Sequence, residues 1–155
     1  MNWKRYWKKI IVIAIAVALV FWFFVPVSVV RHFPETEDIY VHVTPRHNSA
    51  SSYGTYLFVS GSEAHAALRS LLQKYPCYRM LPLGLSYSVS GPRLDQTLLF
   101  SLRNPNVWFY TVQTRLMELN GTWLKLGLLG QKQAQTFHAE MAQFLKSHSE
   151  CLISE

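Results

Sequence analysis

Ile10-Ile11-Val12-Ile13-Ala14-Ile15-Ala16-Val17-Ala18-Leu19-Val20-Phe21-Trp22-Phe23-Phe24-Val25-Pro26-Val27-Ser28-Val29-Val30 is the stretch from which the rest of the chain is read. It holds no charge, and Lys4, Arg5, Lys8 and Lys9 precede it while Arg31 follows. A helix needs about 20 mostly apolar residues to cross a hydrocarbon core of about 30 Å. The run from 10 to 30 meets that length. Its first half shows no amphipathic period, so it presents apolar surface all round, which suits lipid better than a protein surface. Trp3, Tyr6 and Trp7 lie at one end and Phe21, Trp22, Phe23 and Phe24 at the other. Aromatic belts mark the two interfaces of a bilayer, so Trp3, Trp7 and Trp22 are the expected membrane-interface residues. Pro26 removes a backbone donor and is expected to kink or finish the helix. The lipid bilayer is thus the partner expected for residues 10–30, with residues 1–9 as a basic tail.

The flanks predict the orientation. Four of the fifteen Lys and Arg residues precede the run, whereas all nine Asp and Glu follow it. The positive-inside rule puts the N-terminus in the cytoplasm and everything after Arg31 outside the cell. A cleaved signal peptide also begins basic and then turns apolar. Its apolar core is shorter, about 7–15 residues, and it ends at a small-x-small site. No such site closes this run, so a retained single-pass anchor is the expectation. Ala14 and Ala18 are spaced to seat a partner helix, but alanine is common in spans, and the spacing alone specifies nothing.

Beyond the run about 120 residues remain, enough for one small domain. Eleven basic residues there face nine acidic ones, a balance of +2. No basic stripe interleaved with aromatics is visible, which argues against a nucleic-acid partner. Cys77 and Cys151 would both lie on the oxidising side, where a disulfide persists. Sequence does not decide between a Cys77–Cys151 bridge and two free thiols.

In chain order, 31–38 reads as a polar connector, and 39–149 as the folded domain, with 150–155 as a tail. Ile39 to Val43 alternates with period two and predicts a strand. Pro45 to Ser52 is a polar loop, and Tyr53 to Ser60 is a second strand that pairs with the first as a hairpin. Ser60-Gly61-Ser62-Glu63 reads as a capping box opening a helix that runs to Tyr75, before Pro76. Ala64, Leu68, Leu71, Leu72 and Tyr75 form its apolar stripe, while His65, Arg69, Gln73 and Lys74 fall off it. A meander of antiparallel strands is expected from Cys77 to Gly127. It includes 78–83, 85–89, 97–102, 107–112, 116–119 and 123–126, with turns at 90–93 and 104–106. Asn120-Gly121 is the preferred pair for a tight type I′ hairpin. Gln131 to His148 predicts the last helix, with Ala134, Phe137, Met141, Phe144, Leu145 and His148 on one face. The fold class is α+β: one N-terminal membrane helix, then a small antiparallel sheet covered on one face by two helices.

The amphipathic helix Glu63 to Leu72, the run Tyr75-Pro76-Cys77-Tyr78-Arg79, the strand meander and Leu119-Asn120-Gly121-Thr122-Trp123-Leu124 before a terminal helix carry a resemblance over about residues 60–146. The chain resembles a loose class of small, membrane-anchored extracytoplasmic α+β domains of unknown function from Gram-positive bacteria. The likeness lies in arrangement, and the class carries no known active-site residues. It implies a structural or interactive role.

The motifs of common chemistries are absent. The six histidines show no metal-ligand spacing, so no metal or cofactor is expected. A metal-dependent enzyme would require His42, His65 and His138 to converge from separate elements. Ser60 sits after a strand and before a helix, yet Gly-x-Ser-x-Gly is missing and a helix cap explains it. Glu35, Glu37, Asp38, Asp95 and Glu118 fall on the connector, turns or strand ends, where carboxylates are solvated. Aromatic residues remain: Tyr87, Trp108 and Tyr110, with Tyr53, Tyr56 and Trp123, exceed what one core face readily takes. Tyr87, Trp108 and Tyr110 are the candidate surface patch on the sheet face that the helices leave open, the alternative being that these rings complete the core or lie on the membrane. The reading that follows is a non-catalytic outer domain that binds or regulates a partner protein or envelope component. The alternative is a small-ligand sensor with a pocket between helices and sheet.

Overall fold

The computed structural model describes residues 3–45, 54–80, 98–111, 116–127 and 132–154. Helix α1 spans Trp3–Phe24. Its last helical hydrogen bond runs from Val25 N to Phe21 O at 2.9 Å. Pro26 then offers no N–H and disfavours helical backbone at Val25, so the helix stops. The remaining third of the apolar run takes a different path. Val27 and Cys77 form an antiparallel bridge, with Val27 N donating to Cys77 O at 2.6 Å. A 3₁₀ turn follows at Val29–His32, and Val29 and Val30 are buried in the domain core. The expected span of 10–30 therefore divides: Val27 bridges Cys77 and Val29 and Val30 join the domain core, while Val25 and Pro26 between them and the helix are exposed. An apolar run reads alike whether lipid or protein covers it, and only the packing separates the two.

Eight strands form one antiparallel sheet in the order β3-β7-β6-β5-β4-β1-β2-β8. They are β1 Ile39–Pro45, β2 Gly54–Phe58, β3 Cys77–Arg79, β4 Leu98–Arg103, β5 Trp108–Thr111, β6 Leu116–Leu119, β7 Thr122–Leu126 and β8 Leu152–Ser154. Helices α2 (Glu63–Lys74) and α3 (Lys132–Ser147) complete the α+β fold. Asn120 (φ 47°) and Gly121 (φ 79°) join β6 to β7 with the paired positive φ that a type I′ turn demands. The side-chain alternation of each strand then sorts the residues. Ile39, Val41, Tyr56, Phe58, Phe100, Leu102, Phe109, Met117, Leu119 and Leu124 are buried together with Leu68 and Leu72 of α2 and with Phe137, Met141 and Leu145 of α3. Phe144 of α3 stacks on Phe58 at 5.5 Å between centroids, and Tyr75 meets Phe137 edge-on at 5.3 Å. Lys74 and Glu140 tie the two helices together at 2.6 Å.

Several expectations are revised by this packing. The 31–38 connector is no free tether: Phe33 is fully buried, and its carbonyl accepts a hydrogen bond from Arg69. The cap of α2 is Ser62, whose Oγ accepts from His65 N, while Ser60 N donates to Asp38. The tail at 150–155 contains β8, which adds a strand beside β2. His65 is buried, and its Nε2 donates to Glu37 O at 3.0 Å. His138 is buried against Phe100 and Phe137. His65, expected off the stripe, thus lies on the buried face of α2 three residues before Leu68, and His138 lies three before Met141 on the buried face of α3. The predicted strand at 85–89, the turn at 90–93 and most of the loop at 45–52 lie outside the described residues.

Candidate functional site

The sheet face opposite α2 and α3 is built by the other half of the alternation. Across β7, β6, β5, β4, β1 and β2, strand register aligns Trp123, Glu118, Tyr110, Ser101, His42 and Thr55 in one row. A second row places Trp108, Arg103, Tyr40 and Leu57 side by side. The expected patch residues Trp108 and Tyr110 thus do share this face; Tyr87 lies outside the described residues. Trp123 joins them.

Trp108 is 56% exposed, yet its ring is fixed. Its indole Nε1 donates to Ser101 Oγ at 2.9 Å, its backbone N donates to Asn120 Oδ1 at 2.7 Å, and its carbonyl accepts from Asn120 N at 2.9 Å. Tyr110 is held likewise, its hydroxyl donating to the Glu118 carboxylate. That bond, together with burial and the negative charge of Glu118, raises the Tyr110 phenol above its ordinary range. An exposed aromatic ring whose polar atom is engaged within the protein offers only its apolar faces, already oriented. Such a surface loses little side-chain freedom when something stacks on it.

Two concavities flank Trp108. One, of about 420 Å³, is lined by Tyr40, Arg103, Asn106, Val107, Trp108 and Asn120. The other, of about 620 Å³, lies over Leu99, Ser101, Tyr110, Glu118 and Gly121. Both open on the sheet face that carries no helix among the described residues, whereas the sequence expectation placed a ligand pocket between helices and sheet.

The chemistries considered from sequence fare as follows. His42 lies on the open face with Nδ1 2.9 Å from Thr55 Oγ1, His65 is committed to the Glu37 carbonyl, and His138 is enclosed by aromatic rings. The three do not converge, and no group of three His, Cys, Asp or Glu able to hold a metal occurs among the described residues. Burial, and then the charge of Arg103, lower the His42 pKa below its ordinary value. Cys77 and Cys151 are both free. Cys77 is in the edge strand β3 and Cys151 adjoins β8 at the opposite edge, so the sheet itself keeps them apart. Burial pushes the Cys77 thiol up to about 12, which makes it inert.

Of the expected membrane-interface residues, Trp3 opens α1 and Trp7 is exposed. Trp22 carries the Arg79 guanidinium over its ring at 4.1 Å, a cation–π contact that fastens the end of α1 to β3. Sequence gave no sign of this partner. Comparison of the chain with protein families, with curated proteins and with solved structures finds no match.

Proposed function

We propose that the protein is a single-pass, membrane-anchored extracytoplasmic domain that binds or regulates a partner protein or envelope component without catalysis. The observation that carries this reading is the exposure of α1. Tyr6–Phe24 is the single helix among the described residues long and apolar enough to cross a membrane, and none of it is buried against the domain. Eleven large apolar side chains between Ile10 and Phe24 are exposed. At about 1 kcal/mol each, below the value of full burial, water would cost this helix on the order of 10 kcal/mol. That equals the whole stability of an ordinary domain, so lipid is the surrounding that makes the helix tenable. The basic residues at its start support an N-terminus in the cytoplasm and a domain outside.

The bridge at Val27 and the Arg79–Trp22 contact set the domain directly on the end of the span, without a flexible spacer. The fixed aromatics Trp108 and Tyr110 on the face opposite α2 and α3 supply the binding surface. The test is in-cell crosslinking of the full chain against a Trp108→Ala, Tyr110→Ala double variant. Loss of crosslinked partners with an unchanged melting temperature supports this face. Retention of every partner removes it.

A further inference from the structure

The cleft beside Trp108 holds a cation that the fold does not use. Arg103 ends β4 on the face opposite α2 and α3, is exposed, and its side chain has no hydrogen-bond or carboxylate partner among the described residues. Its cross-strand neighbours are Trp108 on β5 and Tyr40 on β1, so a basic residue lies in register between two aromatic ones, and all three line the 420 Å³ concavity. That volume falls within the range of small-molecule sites, about 300–1,000 Å³. The charge reaches into the surroundings, since it contributes to lowering the pKa of His42. Glu37 Oε1 accepts from Asn106 Nδ2 at 3.2 Å and makes no ion pair with Arg103.

We propose that this cleft binds an anionic saccharide, its carboxylate or phosphate on Arg103 and the C–H face of its sugar ring on Trp108. An unpaired Arg fork calls for an oxyanion. The electron-rich face of a fixed indole calls for polarised C–H bonds, which a pyranose face presents. The Asn120 side-chain amide at the rim can serve a hydroxyl, because only its Oδ1 is committed to Trp108 N. An acidic or proline-rich peptide fits less well for two reasons. The cleft lies over β5, β4 and β1 in mid-sheet, where no free strand edge exists for a peptide to extend. The indole N–H that would serve a peptide carbonyl is already given to Ser101.

The inference deepens the proposed binding role and rests on that reading for its cellular setting, but its test is independent of topology. The full chain, purified in a detergent without a sugar headgroup, is titrated with methyl glucuronoside, methyl glucoside, inorganic phosphate and a proline-rich nonapeptide by saturation-transfer NMR. For the glucuronoside, a Kd on the order of 1 mM is expected from ordinary ligand efficiency. Arg103→Met should weaken the glucuronoside at least tenfold, to the level of the neutral glucoside. Trp108→Ala should remove both sugars. Arg103 is exposed, so its replacement leaves the core intact and keeps the test clean if the tryptophan variant is unstable. Absence of saturable glucuronoside binding overturns the proposal, as does equal binding by the Arg103→Met protein. Phosphate binding as tightly as the sugar, or the peptide binding in its place, overturns it too. Should carbonate extraction release the chain from membranes while the titration succeeds, the anchoring fails and the saccharide site stands.

Discussion

Ile10–Phe24 and Val27–Val30 belong to one apolar run in the sequence and are two different materials in the molecule. In the first part every residue is helical and all the large side chains except the half-buried Phe23 are exposed; in the second, Val27 bridges Cys77 and Val29 and Val30 are buried. Hydrophobicity alone does not distinguish them. The difference is made by one imino acid: Pro26 interrupts the helix, and the freed backbone of Val27 is satisfied by Cys77 rather than by a helical carbonyl. The lesson is that the apolar length of a segment bounds a membrane span from above. Where the segment leads straight into a domain, its last residues can be claimed by the core.

The comparison breaks most readily at the core side. Phe33→Ala, which empties a fully buried site just after the second part, should destabilise the domain by about 3–5 kcal/mol in denaturant melts while leaving membrane retention untouched. A wild-type denaturation midpoint would detach Val27–Phe33 from the core. Next, Cys77 reports on whether Val27 is docked. With its thiol pushed up to about 12 by burial, maleimide should modify native Cys77 on the order of a thousandfold more slowly than the unfolded chain, and Cys151 should react first. A non-reducing gel should show no intramolecular bridge. In the proposed anchor, Ile15→Lys places a charge in the middle of α1 and is expected to cost about 3 kcal/mol of membrane insertion, with no change in the domain's melting temperature. A parallel loss of domain stability would mean that α1 packs on protein.

The smallest effect concerns pH. His42 has a folded-state pKa below its unfolded value, so the native state binds fewer protons and acid favours unfolding. The stability that neutral His42 contributes is present above about 6.5 and is lost as pH falls from there through the lowered value. Because the charge of Arg103 is the second cause of the shift, Arg103→Met should move the His42 titration upward in NMR, although burial will keep it below the ordinary position.

Much of the fold was legible because its signals are local. Leu68 and Leu72 mark α2 by spacing, Phe137, Met141 and Leu145 mark α3, and Asn120-Gly121 marks the hairpin through the φ values that those residues tolerate. What stayed hidden depends on partners distant in sequence. β8 is three residues without a pattern and exists because β2 offers an edge. The burial of His65 and His138 also depends on distant partners, since aromatic rings or a backbone carbonyl can accept an imidazole in a core. At the candidate site, aromatic excess leaves open whether Trp108 is exposed or completes the core, and the structure exposes it. Its fixation by Ser101 and the neighbourhood of Arg103 follow only from strand register, which a side-chain pattern fixes by face and not by partner.

Two valines put the central claim to its sharpest test. Val17 on α1 and Val59 at the end of β2 are nearly equally exposed, at 48% and 51%, yet the account assigns lipid to one and water to the other. Spin labels at Val17→Cys and Val59→Cys, in a chain whose two native cysteines are replaced by alanine, can be read in bilayers by oxygen and by a water-soluble nickel relaxant. The account predicts an oxygen-rich, nickel-free label at 17 and the reverse at 59. Nickel relaxing both labels alike would contradict the anchor.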